Sequence, residues 1–465
     1  MTKRLYVWLG ALFLVRVLLS FWTPIVADES YYLLWTQHLA TSYVDHPALT
    51  AWFNFLFITI FQEPLLAIRL ASLAAYCITC FFLYRIGRQF FTKQQTIYMT
   101  LLFMLIPYHY VIGITMQVEQ LLISFSTAAL YYFIRLIKSE NTIFFIPLAI
   151  MCGLACLAKY TALLIIFGML VYLLFTKNRS LLNSFHFILA LTLFALLLLP
   201  IILWNLDYNW VSFQFHSNRI SSFTGFDAAI SFVLNQILYL SPVVVIYFFK
   251  TIFIKKKSQY EQIFLSLSLI CWIPFFVLSF VTTVYSHWTA ISTIPMILFI
   301  SYAFKEKLAL ICRYQTIFTL FVVIVLILAT PLTNPINVFK NYTLKTKFED
   351  FISNHSTPLH IYSDTHGSVG ILSYYSKQAI YFPKNIIAYP SRWGYNQFSI
   401  WDQPPIKKDD SILFFGRLNS KQRDVIEDHF ELIEEIKFPT LTILEGYLAN
   451  RTYYLFKKAK LDFTF

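Results

Sequence analysis

The chain has 465 residues, 58% hydrophobic and only 13% charged, with a formal net charge of +12 and a mean hydropathy of +0.62. A soluble globule carries about 25% charged residues, so this composition excludes one and sets the chain among polytopic membrane proteins. Residues 1–339 hold 20 of the 36 Lys and Arg but 10 of the 24 Asp and Glu, spread through loops between apolar runs, which excludes a nucleic-acid footprint on one face.

The first apolar run follows Lys3 and Arg4, lacks a small-residue cleavage site before Asp28 and is interrupted by Arg16. It reads as a retained span and not a signal peptide. Two acidic, aromatic turns follow, Asp28-Glu29-Ser30-Tyr31-Tyr32-Leu33-Leu34-Trp35 and Tyr43-Val44-Asp45-His46-Pro47. Apolar runs then recur to about Pro331. Six basic clusters separate them: Lys3/Arg4, Arg85/Arg88/Lys93, Arg135/Lys138, Lys177/Arg179, Lys250/Lys255/Lys256/Lys257 and Lys305/Lys307/Arg313. Placing all six in the cytoplasm predicts eleven crossings, at 5–25, 65–84, 94–111, 118–137, 143–158, 160–175, 185–204, 232–252, 261–282, 286–304 and 315–331. The N-terminus is then inside and the C-terminus outside. The stretch 48–61 is read as interfacial; as a further crossing it turns every later basic cluster outward. Only Arg16, Arg69, Lys159 and Arg219 escape the clusters, and each is a candidate for a specific task.

The expected fold class is therefore an all-α polytopic membrane domain over 1–335, followed by a small soluble α/β domain over 336–465. Candidate strands in the tail are Leu359–Ser363, Ile380–Phe382, Ser411–Phe415 and Tyr453–Phe456, with helical stretches near Ser368–Lys377 and Lys421–Phe430. Asp364-Thr365-His366-Gly367 reads as a capped loop entering a helix. All six cysteines lie in the membrane part without disulfide or zinc spacing, and no Gly-rich phosphate loop is present, so no nucleotide cofactor is expected.

The predicted outward loops gather His38, His46, His216 and His287 with Asp28, Glu29, Asp45, Glu63, Asp207 and Asp227, and Glu119 lies just inside the following span. Carboxylates and imidazoles massed beside a bilayer suit acid–base chemistry on a lipid-borne substrate. Structural readings stand beside this one. Asp28 caps a helix running from Ser30 to about Ala40, with Tyr31, Tyr32 and Trp35 as its interfacial belt. Glu29 either supports the site or favours the helix dipole. Lys159 snorkels to the interface, His287 is interfacial, and Glu119 is a hydrogen-bonded buried acid.

A family resemblance rests on Asp28-Glu29-Ser-Tyr-Tyr, Tyr43-Val-Asp45-His46-Pro47, Gly153-Leu-Ala-Cys-Leu-Ala-Lys159-Tyr160-Thr161, Pro200-Ile-Ile-Leu-Trp204-Asn205, Trp210-Val-Ser-Phe-Gln-Phe and His287-Trp288. In this order they resemble the bacterial polyprenyl-phosphate-dependent glycosyltransferases of the GT-C fold, relatives of protein O-mannosyltransferases and of the aminoarabinose transferase of lipid A. The resemblance covers residues 1–330 and touches the tail only through Arg392–Trp401. It implies transfer of a hexosyl or pentosyl group from a polyprenyl-phosphate donor to an envelope acceptor (lipid A, another glycan or a protein) at the outer leaflet, with inversion. It assigns Asp28 as the catalytic acid/base with Glu29 beside it, and Lys159, Arg219 and His46 to the donor phosphate. Asp45 and His216 become ligands of one divalent cation, and Tyr31, Tyr32, Glu119, Trp204 and Asn205 support the site. The chain departs from the family pattern at Gln117-Val118-Glu119, where many relatives have Thr-Pro-Asp, and at Ala48 after Pro47. A polytopic transporter or flippase is the rival reading; it predicts internal repeats, and none is found.

Overall fold

The computed structural model describes residues 2–23, 25–218, 225–254 and 257–332, and beyond them 359–363, 367, 369–370, 373–374, 380–381, 397, 400–401, 411–416, 424, 427–428, 431–437 and 452–457. Arg219 lies outside these residues, as do most of the two helical stretches expected in the tail, and Asp364 to His366. By internal contacts the chain forms two compact units, Met1–Trp22 with Ala40–Ile324, and Thr23–Leu39 with Val325–Phe465. The single expected boundary at 335/336 does not anticipate that 23–39 groups with the tail.

The helices are α1 (Thr2–Trp22), α2 (Ala27–Trp35), α3 (Leu49–Phe61), α4 (Pro64–Gly87), α5 (Lys93–Leu105), α6 (Pro107–Ile112), α7 (Val118–Ser139), α8 (Phe145–Ala158), α9 (Ala162–Leu174), α10 (Phe185–Asp207), α11 (Val211–Ser217), α12 (Gly225–Leu240), α13 (Pro242–Ile252), α14 (Gln259–Leu278), α15 (Thr293–Ala303) and α16 (Leu308–Leu332). Local chemistry sets several starts. Pro64 opens α4 where a missing N–H costs nothing, and the Glu63 carboxylate accepts from the Leu66 N–H. Reciprocal Ser or Thr and Glu or Gln caps open α5 (Thr92 with Gln95) and α14 (Ser258 with Glu261).

This is an integral membrane protein. Among the described residues six helices are long and apolar enough to cross a bilayer alone: α1, α4, α7, α10, α14 and α16. Two bent pairs bring the number to eight, α9 with the 3-10 turn Lys177–Asn183 at 105°, and α12 with α13 at 104°. The expected count of eleven needs 94–111, 143–158 and 286–304 as well. The first of these is divided at Ile106-Pro107, because Pro107 has no N–H and forces its predecessor into extended backbone (ψ 123°). The expected single span 232–252 is likewise divided, at Ser241-Pro242, where Ser241 has φ 85°. At 13 residues, α3 is about 20 Å long, short of the ~30 Å hydrocarbon core.

The first unit is built around α7, whose most apolar window is 83% buried, against 17% for α1 and α10. Helix α7 packs on α4 and α8, and α8 on α10. The site described below begins at the N-terminus of this central helix. In the second unit five strands, β1 (Leu359–Ser363), β2 (Ile380–Tyr381), β3 (Ser411–Gly416), β4 (Glu431–Lys437) and β5 (Thr452–Lys457), form one sheet in the order β2-β1-β3-β5-β4. β1 runs parallel to β2 and β3, with Leu359 opposite Ser411, while β5 is antiparallel to β3 and β4. Strands stand where the four were expected. β4 was not expected, because Glu431-Leu-Ile-Glu-Glu-Ile-Lys437 has helical spacing and composition; pairing with β5 overrides that preference.

Helix α2 differs from its expectation. It starts at Ala27 with Val26 as N-cap, so Asp28 lies in the first turn and does not cap. The buried Glu29 carboxylate accepts from the Val26 N–H at 3.4 Å, which gives it a helix-capping role. The helix stops at Trp35, short of Ala40, after a run of packed rings, Tyr31 and Tyr32 lying 5.1 and 4.8 Å from Trp35. Within the second unit, α2 meets the tail at Gly370: a Cβ there would stand 2.5 Å from Ser30 Oγ and 2.8 Å from the Ser30 carbonyl carbon. His38 stacks on Trp401 at 4.3 Å.

Candidate active site

The site is built on a break between α8 and α9 that neither Pro nor Gly sets. Lys159 closes α8 in extended backbone (φ −160°, ψ 137°), and α9 resumes at Ala162. Consecutive side chains then leave in two directions. Lys159 reaches the first turn of α7 and donates to Glu119 Oε1 in a buried ion pair, the two residues being 6% and 4% exposed. Such a pair is held in place by mutual need, since either charge alone in this surrounding costs several kcal/mol. His287 Nε2 stands 3.7 Å from the same Oε1, so the carboxylate faces two basic groups.

Tyr160 turns the other way. Its ring meets His216 edge-on at 5.7 Å and lies 6.3 Å from Phe213, and its hydroxyl is buried near Ser42, Ser212 and Asn205. The turn that carries Asp45 is closed by Tyr43 N–H donating to His46 O at 3.1 Å and by a bridge between Ser42 and Pro47. It is tied to α11 twice: Ser212 Oγ donates to Tyr43 O at 3.0 Å, and His216 Nε2 meets Asp45 O at 3.1 Å. Trp204 and Asn205, at the end of α10, shape the approach. The Asn205 amide donates to Ile201 O at 3.0 Å while its Oδ1 accepts from the Ser212 N–H at 3.3 Å. Asn209 and Trp210 between them take left-handed backbone, with φ 52° and 60°. The Trp204 and Tyr208 rings lie 4.6 Å apart, tilted by 34°.

Of the residues read from sequence, the structure thus gathers Asp45, His46, Lys159, His216, Glu119 and Asn205 around one helix break in the first unit. Asp28, Glu29, Tyr31 and Tyr32 belong to the second unit, and Arg219 lies outside the described residues. Two further residues stand beside these. His287 was read as interfacial, and Tyr160 was quoted only as part of a motif; its place after Lys159 at a helix break was the available signal.

Among the described residues no group of three or more His, Cys, Asp or Glu is disposed to hold a metal ion. His216 reaches Asp45 through the backbone carbonyl, which only accepts, so Nε2 carries the proton and Nδ1 is left as the ring's ligating atom. Asp45 and His216 by themselves therefore do not complete a cation site, and no step below is routed through one.

Residues 45–204 match the family model of the dolichyl-phosphate-mannose-protein mannosyltransferases. No curated protein matches the chain. Among solved structures the chain resembles ArnT from Cupriavidus metallidurans in the apo state, with a TM-score of 0.66 at 12% identity over 98% of both chains. It matches the same protein bound to undecaprenyl phosphate with a TM-score of 0.65 at 11% identity, again over 98% of both. The chain thus shares the fold of ArnT over 98% of its length, and residues 45–204 carry the sequence pattern of the mannosyltransferase family model.

Proposed function

We propose that this protein is a membrane glycosyltransferase that takes a sugar from a polyprenyl-phosphate carrier and passes it to an envelope acceptor, a lipid A, another glycan or a protein, at the outer face of the membrane. One observation carries the reading: a fold shared over 98% of the chain with a protein solved bound to undecaprenyl phosphate, joined to a buried ammonium, Lys159, at a break between helices. Support also comes from the family model, whose named substrate is a lipid-linked mannose. The topology that goes with this reading has eleven crossings, a cytoplasmic N-terminus and a periplasmic α/β tail.

In the proposed reaction an acceptor oxygen attacks the anomeric carbon from the face opposite the lipid phosphate. The bond from that carbon to the phosphate oxygen breaks, polyprenyl phosphate leaves with the electron pair, and configuration inverts. Asp28 takes the acceptor proton, a role that comes from the resemblance. Phosphate is a competent leaving group, so charge neutralisation matters more than protonation of it. Lys159 serves this end: an ammonium has three donors, and Glu119 occupies one. Arg219 and His46 are assigned to the same phosphate. Glu119 fixes Lys159 and so supports catalysis indirectly. The divalent ion that the resemblance allows at Asp45 and His216 requires a further ligand from substrate or water.

Incubation of the purified protein with a labelled polyprenyl-phosphate sugar tests the reading, because only a transferase releases free polyprenyl phosphate, whereas a transporter or flippase returns the donor intact. Asp28→Asn is nearly isosteric but accepts no proton, and is expected to lower turnover by ~10²-fold or more. Wild-type turnover in this variant removes the base assignment. Lys159→Ala is expected to raise the donor concentration needed for half-maximal rate; an unchanged dependence removes the phosphate role.

A further inference from the structure

Three of the four basic residues outside the cytoplasmic clusters are described, and Lys159 accounts for one. Arg16 and Arg69 remain, both fully buried. Intramembrane cations are expensive and mark functional positions. A peripheral helix such as α1, only 17% buried over its window, has no packing need for an arginine at its inner face.

What the two arginines touch is a single piece of backbone. Helix α6 is short, and its last four carbonyls have no partner within the helix. Arg16 Nη1 donates to two of them, His109 O and Tyr110 O, at 2.9 Å each. Ser72 Oγ donates to Ile112 O at 3.4 Å and to Thr115 O at 3.2 Å. Arg69 Nη1 and Ser20 Oγ both donate to Ile114 O, at 3.2 and 3.4 Å. Arg16 and Ser20 are four apart on α1, and Arg69 and Ser72 three apart on α4, so each helix presents its pair on one face. The Arg16 guanidinium is further fixed by Tyr76 and Tyr110, whose ring centres lie 3.7 and 4.6 Å from its Cζ, and by donation to Tyr76 Oη at 3.1 Å. Gly113 makes the approach possible, since a Cβ there would lie 1.8 Å from Arg16 Nη1.

The held segment, 109–115, leads directly into α7. Glu119 follows Ile114 by five residues, and Gln120, with its amide oriented to suit its neighbours, donates to Ile112 O at 3.3 Å. We propose that Arg16, seated against Gly113, is a positioning residue: with Arg69 it holds the α6–α7 backbone so that Glu119 keeps Lys159 in place. The consequence for donor binding rests on the phosphate role of Lys159 given above; the clamp itself does not. The device uses guanidinium and hydroxyl donors on carbonyls, so the positive charge of Arg16 is not spent on a carboxylate that Lys159 needs.

The test uses the full chain in lipid nanodiscs, with Arg16→Met, Gly113→Ala and Ser72→Ala. A small amine-reactive reagent is applied briefly, and modification of Lys159 and of Lys257 is followed by peptide mass spectrometry. In Arg16→Met and Gly113→Ala, Lys159 is expected to react about tenfold faster than in wild type while Lys257 is unchanged, because loss of the clamp opens the segment locally. Gly113→Ala keeps every charge and decides the matter should Arg16→Met fail to fold, with Ser72→Ala giving a smaller change of the same sign. Unaltered protection of Lys159 in both glycine and arginine variants overturns the proposal. With labelled donor, Arg16→Met should raise the KM for the lipid-linked sugar by about fivefold, and by less than about twofold when Lys159→Ala is already present. A full multiplicative loss in that background also overturns it. A wild-type protein that releases no polyprenyl phosphate defeats the functional reading instead, and the labelling result still judges the clamp.

Discussion

Lys159 and Arg16 are both cations sealed inside the helical unit, and their surroundings solve the same problem in opposite ways. Lys159 is matched by one carboxylate, Glu119. Arg16 is matched by main-chain carbonyls and two tyrosine rings. A carboxylate partner is a single side chain, removable by one substitution and able to share its cation with an incoming anion. Carbonyl partners belong to the fold and no side-chain deletion removes them, so filling the space at Gly113 is the direct way to drive Arg16 off them without changing it. The first arrangement suits a group that must meet a substrate, and the second a group that must not move.

The largest effect expected from this contrast follows removal of the acid. Glu119→Leu leaves Lys159 buried and uncompensated, and thermal unfolding in detergent should register a loss of about 3–5 kcal/mol. The double variant Glu119→Leu with Lys159→Met should recover most of that loss while remaining inactive; failure to recover shows that the two charges do not act as a pair. A middle-sized effect is expected at the turn that carries Tyr160's neighbours. Asn205→Ala deprives the buried Ser212 N–H of its acceptor and should cost about 1–2 kcal/mol in the same measurement. The smallest belongs to His287. Its side chain is 38% exposed and 3.7 Å from Glu119, so His287→Ala should change stability by less than ~1 kcal/mol. A larger loss makes His287 a full third member of the Glu119–Lys159 group.

Much of this was legible in order along the chain. Counting basic residues outside the six basic clusters singled out Arg16, Arg69, Lys159 and Arg219, and the three that are described are buried in the helical unit. The motifs around Asp45, Lys159, Asn205 and His216 pointed to one neighbourhood and to the GT-C fold. The pairing of Lys159 with Glu119 was not legible, because 40 residues separate them and Glu119 looked like a member of its own span. The start of α2 was misplaced for a local reason: Glu29 reaches back to Val26, so the helix begins before Asp28. Strand β4 was missed because its glutamates and leucines fit a helix until β5 supplies the partner.

Sequence alone determined the solvent and the class of molecule. Hydrophobic runs of spanning length admit no soluble fold, and the excess of Lys and Arg in short loops carries the expected orientation. It also located the polar residues that such a setting makes costly. Tertiary structure decided which of those costs are met by which partners. The Arg16 side chain on α1 reaches the α6 backbone across 94 residues of chain and Lys159 after α8 reaches Glu119 on α7 across 40, and such contacts are set by helix packing, which no local pattern of residues encodes.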